Sequence, residues 1–108
     1  MLPKTNRATT KNVEKVFKTG KSIHSPILTF KYLLLGGATN TQISFLAPKP
    51  VAKLAVRRNF LRRLGYTALG KHINSFPSGL IGVFIYKKPV EDILIIENEI
   101  KNTLSKLN

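Results

Sequence analysis

Between Lys15 and Val90 this chain carries no aspartate or glutamate. Neighbouring like charges on a helix repel, and no acid four residues away is on hand in that span to neutralise them. The tension is greatest in KLAVRRNFLRRLGY, Lys53 to Tyr66, where five of fourteen residues are Lys or Arg and six are Leu, Ala, Val or Phe. Such a segment makes a stable helix only if its apolar residues gather against a core and its cations gather elsewhere. On an ideal helix, Arg58, Arg62, Tyr66, Asn59 and Arg63 fall within an arc of about 140°. Phe60, Leu64, Ala68, Leu61 and Leu54 cover the opposite side, over about 120°. Lys53 and Arg57 fall toward the apolar side in the first turns, where their stems can snorkel past the core edge.

The rest of the charge pattern points outward. The net charge is +13, and residues 1–90 hold 16 Lys and Arg against one acid, Glu14. The other four acids, Glu91, Asp92, Glu97 and Glu99, are confined to the C-terminal segment. A field of this sign opposes compaction and is relieved by a polyanion, so nucleic acid is the expected partner. A membrane surface is disfavoured, because the cations are spread over several elements instead of one amphipathic helix. No window approaches the ~18 apolar residues of a membrane span, the first twenty residues lack the apolar run of a secretory leader, and cysteine is absent. These features fit a cytoplasmic protein. At 108 residues and 43% hydrophobic content, the chain suits one folded domain, residues 1–108.

Along the chain, residues 1–9 read as an extended basic tail. Thr10 caps a short helix with Val13, Val16 and Phe17 at the spacing of one buried stripe, and Gly20 ends it. SPILTFKYLLL, Ser25 to Leu35, and TQISFLA, Thr41 to Ala47, read as strands joined into a hairpin by a loop from Gly36 to Asn40. The basic helix is expected from Val51 to about His72, with Gly65 and Gly70 weakening its second half. LIGVFIYKK, Leu80 to Lys88, is a further strand. VEDILIIENEIKNTLSKL, Val90 to Leu107, is an amphipathic helix with Ile93, Ile96, Ile100, Leu104 and Leu107 on one side. The order predicts an α/β sandwich of two layers, about three helices on a small sheet.

Catalytic constellations are hard to find. GKS at Gly20–Ser22 lacks the upstream glycine of a phosphate-binding loop, since Lys15 stands there, and a strand follows it instead of a helix. His24 and His72 are the only histidines, and no nucleophile–base or paired-carboxylate arrangement suggests itself. A helix-turn-helix DNA binder is disfavoured, because strands surround the basic helix. A structural RNA-binding protein, such as a small ribosomal protein, remains an alternative on composition.

KLAVRRNFLRR resembles the K-x-A-V-x-R-N-x-x-[KR]-R signature of the protein subunit of bacterial ribonuclease P, through Lys53, Ala55, Val56, Arg58, Asn59, Arg62 and Arg63. The leading LPK, VEKVFKTGKSIHSP and VFIYKKP are similar to flanking family segments in the same order. The resemblance implies a mixed sheet with a left-handed β-α-β crossover and a short extra strand near Lys21–His24. It implies binding to a catalytic RNA subunit through Lys49, Lys53, Arg57, Arg58, Asn59, Arg62 and Arg63. It also implies a cleft for the 5′ leader of precursor transfer RNA at Val13, Phe17 and Lys31. Magnesium is then held by the ribonucleoprotein, with no cofactor on the protein alone and no DNA or membrane partner. The chain departs from the family pattern at Phe60, where Arg is usual, at Val13, where Phe is usual, and at Tyr66 and Thr67. Lys31 falls where the cleft's strand aromatic is expected, one residue before Tyr32. Phe17 can be read either as a stacking platform for a leader base or as core beneath Val13 and Val16. Phe60 is expected in the core from its place on the apolar arc.

Overall fold

The structure, a computed structural model, describes residues 6–35 and 40–107. Its elements are α1 (Thr10–Thr19), β1 (Lys21–His24), β2 (Leu28–Leu34), β3 (Gln42–Leu46), α2 (Ala55–Gly70), a 3-10 turn (Ile73–Ser75), β4 (Leu80–Tyr86) and α3 (Ile93–Leu107). The strands form one mixed sheet in the order β1-β2-β4-β3.

The expected hairpin between Ser25–Leu35 and Thr41–Ala47 does not form. β4 lies between those strands, antiparallel to β2 and parallel to β3. The reason is burial: β4 is the most apolar strand, with only Ile85 less than fully buried, so it takes a central place. β2 finds its other neighbour in β1, with Lys21 opposite Tyr32 and His24 opposite Thr29. β1 is the short strand that the family resemblance implies. The loop expected from Gly36 falls mostly outside the described residues.

Strand alternation sorts the side chains into two faces. Leu28, Phe30, Ile43, Phe45, Leu80, Phe84 and Tyr86 join Leu61, Ala68 and Leu69 of α2 and Ile96 and Ile100 of α3 in the main core. Rings carry much of it: Phe30 and Phe84 lie 4.3 Å apart, and Phe45 stacks on Phe84 at 5.0 Å. Tyr86 donates its hydroxyl to Leu61 O at 2.7 Å. Burial pushes that phenol's pKa far up, so the hydroxyl stays a donor. On the other face a smaller cluster of Ile81 and Val83 is covered by Val16 of α1.

The apolar stripe of α3 packs as expected, and its acids hold it in place. Asp92 accepts from Leu94 N at 2.9 Å across the helix start. Glu99, 6% exposed, accepts from Ile27 N at 2.7 Å. Glu97 meets His72 at 3.1 Å and Lys71 at 3.8 Å, and the His72 hydrogen bond draws its carboxyl below the ordinary range.

α2 begins at Ala55, later than the expected Val51, because Pro48–Val51 forms a turn closed by Val51 N to Pro48 O at 3.0 Å. Lys49 and Lys53 therefore precede the helix. The buried residues of α2 are Leu61, Gly65, Ala68 and Leu69, a face turned about 70° from the expected one at 100° per residue. Phe60, 37% exposed, and Leu54, 66% exposed, are surface residues and not core. Gly65 explains the rotation. A Cβ there would meet the Phe45 ring at 2.4 Å, so the glycine lets α2 settle against β3. Gly65→Ala should therefore destabilise the fold by about 1–2 kcal/mol, since overpacking of roughly 1–3 kcal/mol outweighs about 1 kcal/mol of helix propensity. Denaturant unfolding checks this; a stabilised variant would show that the ring yields freely.

Candidate nucleic-acid interface

The rotation of α2 decides which cations face outward. Arg62 and Arg63 remain exposed, with Asn59 beside them. Arg62 donates through Nη2 to Asn59 Oδ1, a bond across one turn that holds both side chains together. Arg58, expected on the open basic face, is half-buried. Its Nη1 donates to Ala52 O at 3.0 Å and Lys53 O at 2.8 Å. It braces the chain ahead of α2, whose first turn has no side-chain cap. Arg57 does not simply snorkel: it pairs with Glu91 ahead of α3, at partial exposure on both sides. Lys49 and Lys53 are exposed.

Among the described residues, carboxylate ion pairs form at Arg57–Glu91 and around Glu97 with Lys71 and His72. Arg62, Arg63, Lys49 and Lys53 take no part in them. Tertiary pairing thus reaches Arg57 and Lys71 in the acid-poor span but not these four cations, which stay available for an external anion.

A cleft of about 690 Å³ opens between α1, β3 and α2. Asn59, Arg62, Arg63 and Tyr66 line it from α2, Ser44 and Leu46 from β3, and Thr10, Val13 and Glu14 from α1. Thr9, not Thr10, caps α1 by accepting from Asn12 N at 3.2 Å. Arg7 and Ala8 also line the cleft, so this part of the expected tail is instead bound to the sheet. Asn6 donates to Thr41 O at 2.8 Å and Ser44 Oγ to Ala8 O at 3.1 Å. Residues 1–5 lie outside the described residues. Arg7 was not singled out in the sequence, where its only signal is its charge.

Thr10, Val13 and Phe17 share one ridge of α1, spaced by three and four residues, so Phe17 lies about 10 Å along the helix from the Thr10 end of the cleft, and it does not line the cleft. Val16 is the buried residue of this helix, while Phe17 is 43% exposed, which removes the core reading of its ring. Lys31 lies on the same sheet face, with its Nζ 5.1 Å from the Phe17 centroid, a cation–π distance. Tyr32 points the other way and stacks on Phe30 at 5.6 Å. It cannot replace the missing strand aromatic, because adjacent strand residues face opposite sides. The structure thus brings Val13, Asn59, Arg62 and Arg63 to one cleft, while Phe17 and Lys31 meet each other outside its lining. Lys49, Lys53 and Arg57 do not line it.

Among the described residues no group of three His, Asp or Glu could hold a metal ion, and no helix is long and apolar enough to cross a membrane.

Because Arg58 holds two main-chain carbonyls, Arg58→Ala should cost about 1–2 kcal/mol of stability. Arg62→Ala should change stability by about 0.5 kcal/mol or less. Thermal unfolding of the two variants checks this, and equal melting temperatures would mean that the Arg58 bonds contribute nothing.

A family model described as Ribonuclease P matches residues 2–108. No curated protein sequence matches the chain. Among solved structures, the chain is similar to the RNase P protein from Thermotoga maritima, with a TM-score of 0.80 at 19% identity, covering 94% of this chain and 97% of that one. It is also similar to the Staphylococcus aureus RNase P protein, with a TM-score of 0.79 at 15% identity, covering 98% and 97%.

Proposed function

The chain belongs to the ribonuclease P protein family, and we propose that it acts there as the subunit that docks on a catalytic RNA and guides precursor transfer RNA to it. The observation that carries this reading is a cation surface on α2 that lines a cleft against α1, with an exposed ring, Phe17, farther along the same ridge of α1. Arg62 and Arg63 offer forked donors suited to phosphate oxygens. Asn59, held by Arg62, presents an amide that can bond a backbone or base edge. Lys49 and Lys53 add attraction beside the start of α2, while Arg57 and Arg58 chiefly order that start through Glu91 and the loop carbonyls. RNA phosphates approaching α2 meet no competing carboxylate on its exposed cationic turn.

Phe17 offers a face on which one base of a single-stranded 5′ leader can stack. Lys31, replacing an aromatic residue of the family pattern, gives a cation where a second base would otherwise stack. The leader is then held by one ring and a phosphate or base-edge contact. Val13 supplies apolar contact between the two regions.

The chain brings no catalytic group of its own to this work. On this reading the cut is made by the RNA, with magnesium held by RNA phosphate oxygens; among the described residues no group of three His, Asp or Glu could hold a metal ion. The protein lowers repulsion between two polyanions and fixes the leader. Its place of action is the bacterial cytoplasm.

Alone, the protein should not cleave precursor transfer RNA. With a bacterial ribonuclease P RNA and modest magnesium, it should stimulate removal of the 5′ leader strongly. Phe17→Ala, whose ring is not core, should weaken binding of a long-leader substrate by about 1–3 kcal/mol and leave a one-nucleotide-leader substrate unaffected. Equal losses on both substrates would contradict the stacking role. Absence of stimulation would contradict the functional reading itself.

A further inference from the structure

We infer that Arg7 forms the second wall of an RNA phosphate site, opposite Asn59, Arg62 and Arg63, so that one phosphodiester is held between the segment before α1 and the exposed turn of α2. This rests on the reading of α2 as an RNA-binding surface, and adds to it a residue outside the signature helix and a concave site in place of an open face.

Three observations carry it. First, Arg7 is anchored: its guanidinium carbon lies 4.8 Å from the centroid of the Tyr66 ring. Tyr66 follows Arg62 by one helical turn, and this stacking holds Arg7 in the cleft that Arg62 and Arg63 also line. The ring is itself fixed, because its hydroxyl accepts from Phe45 N at 3.2 Å. Second, the segment carrying Arg7 is tied down on both sides, by Asn6 to Thr41 O and by Ala8 O to Ser44. Arg7 is thereby held in position before any ligand arrives. Third, Arg7 lines the same cleft as Asn59, Arg62 and Arg63, and three guanidinium groups lining one cleft repel one another unless an anion lies between them. Cation stacking on Tyr66 explains the anchor but not this gathering of like charges.

The cleft contains one carboxylate, Glu14, exposed on α1. Against Arg7, Arg62 and Arg63 it leaves an excess of two positive charges, so the cleft stays attractive to a phosphodiester, which carries one negative charge. Arginine's planar fork, stacked on an aromatic face, is well matched to phosphate oxygens.

The test is a salt titration of binding between the full protein and a bacterial ribonuclease P RNA, with Arg7→Gln, Arg62→Gln and the double variant, each first confirmed folded by thermal unfolding. Each single substitution should weaken binding roughly 10-fold near physiological salt and lower the log–log salt slope by about 0.7–0.9, one phosphate's worth. The double variant should lose little beyond either single one, because both arginines hold the same phosphate. Wild-type binding by Arg7→Gln with weak binding by Arg62→Gln would overturn the inference while leaving the α2 reading intact. Wild-type binding by both would overturn the α2 reading as well. Fully additive losses would mean separate phosphates and would overturn the shared site. If Arg7→Gln does not fold, Arg7→Lys decides: it should keep the slope yet bind several-fold more weakly, and unchanged affinity would overturn the inference.

Discussion

Everything that faces outward on α2 follows from one close approach, the seating of the helix on β3 at Gly65. With no side chain there, the Phe45 ring lies directly against the helix, and Tyr66 beside it meets the same ring edge-on at 5.4 Å. Leu61, Ala68 and Leu69 are drawn inward with Gly65. Arg62 and Arg63 are left outside, and Tyr66 is placed at the cleft where Arg7 can stack on it. A bulkier residue at position 65 would lift the helix and turn this face, shifting the cations away from the cleft.

Charge segregation is the second constraint. The acids at 91–99 are engaged in positioning α3: Asp92 at its start, Glu97 against the end of α2, Glu99 on Ile27 N, and Glu91 on Arg57. Because they serve the junctions of the third helix, they do not neutralise the exposed turn of α2. Self-repulsion of the basic part is the cost of that arrangement, and a bound polyanion removes it. The fold and the need for a partner thus arise from the same uneven distribution of carboxylates.

Much of this was legible in the chain. The α3 stripe and the existence and type of the three longer strands followed from periodicity, and the ordered signature around Arg58–Arg63 pointed to ribonuclease P. The order of strands was not legible. A short loop between two β segments favours a hairpin locally, and only the greater burial of LIGVFIY places it between them. The rotation of α2 was missed because charge was used to choose its faces. Arg58 was set with the exposed arginines although it braces main-chain carbonyls, and Phe60 and Leu54 were set inside although Gly65 governs the contact. Arg7 was hidden in a segment that looked like tail, since its fixed position depends on hydrogen bonds to residues 35 or more places away. The exposure of Phe17 was open in the sequence, because Val13, Val16 and Phe17 share helical spacing but only Val16 lies beneath the helix.

On the proposed reading, RNA binds the face formed by α1, β3 and α2, with α3 on the back. Amide chemical-shift mapping of the labelled protein on addition of ribonuclease P RNA tests this most directly. The largest changes should fall at Arg7, Val13, Phe17, Asn59, Arg62 and Arg63, with little change at exposed α3 positions such as Leu94 and Lys101. Changes concentrated on α3, with α2 undisturbed, would contradict it.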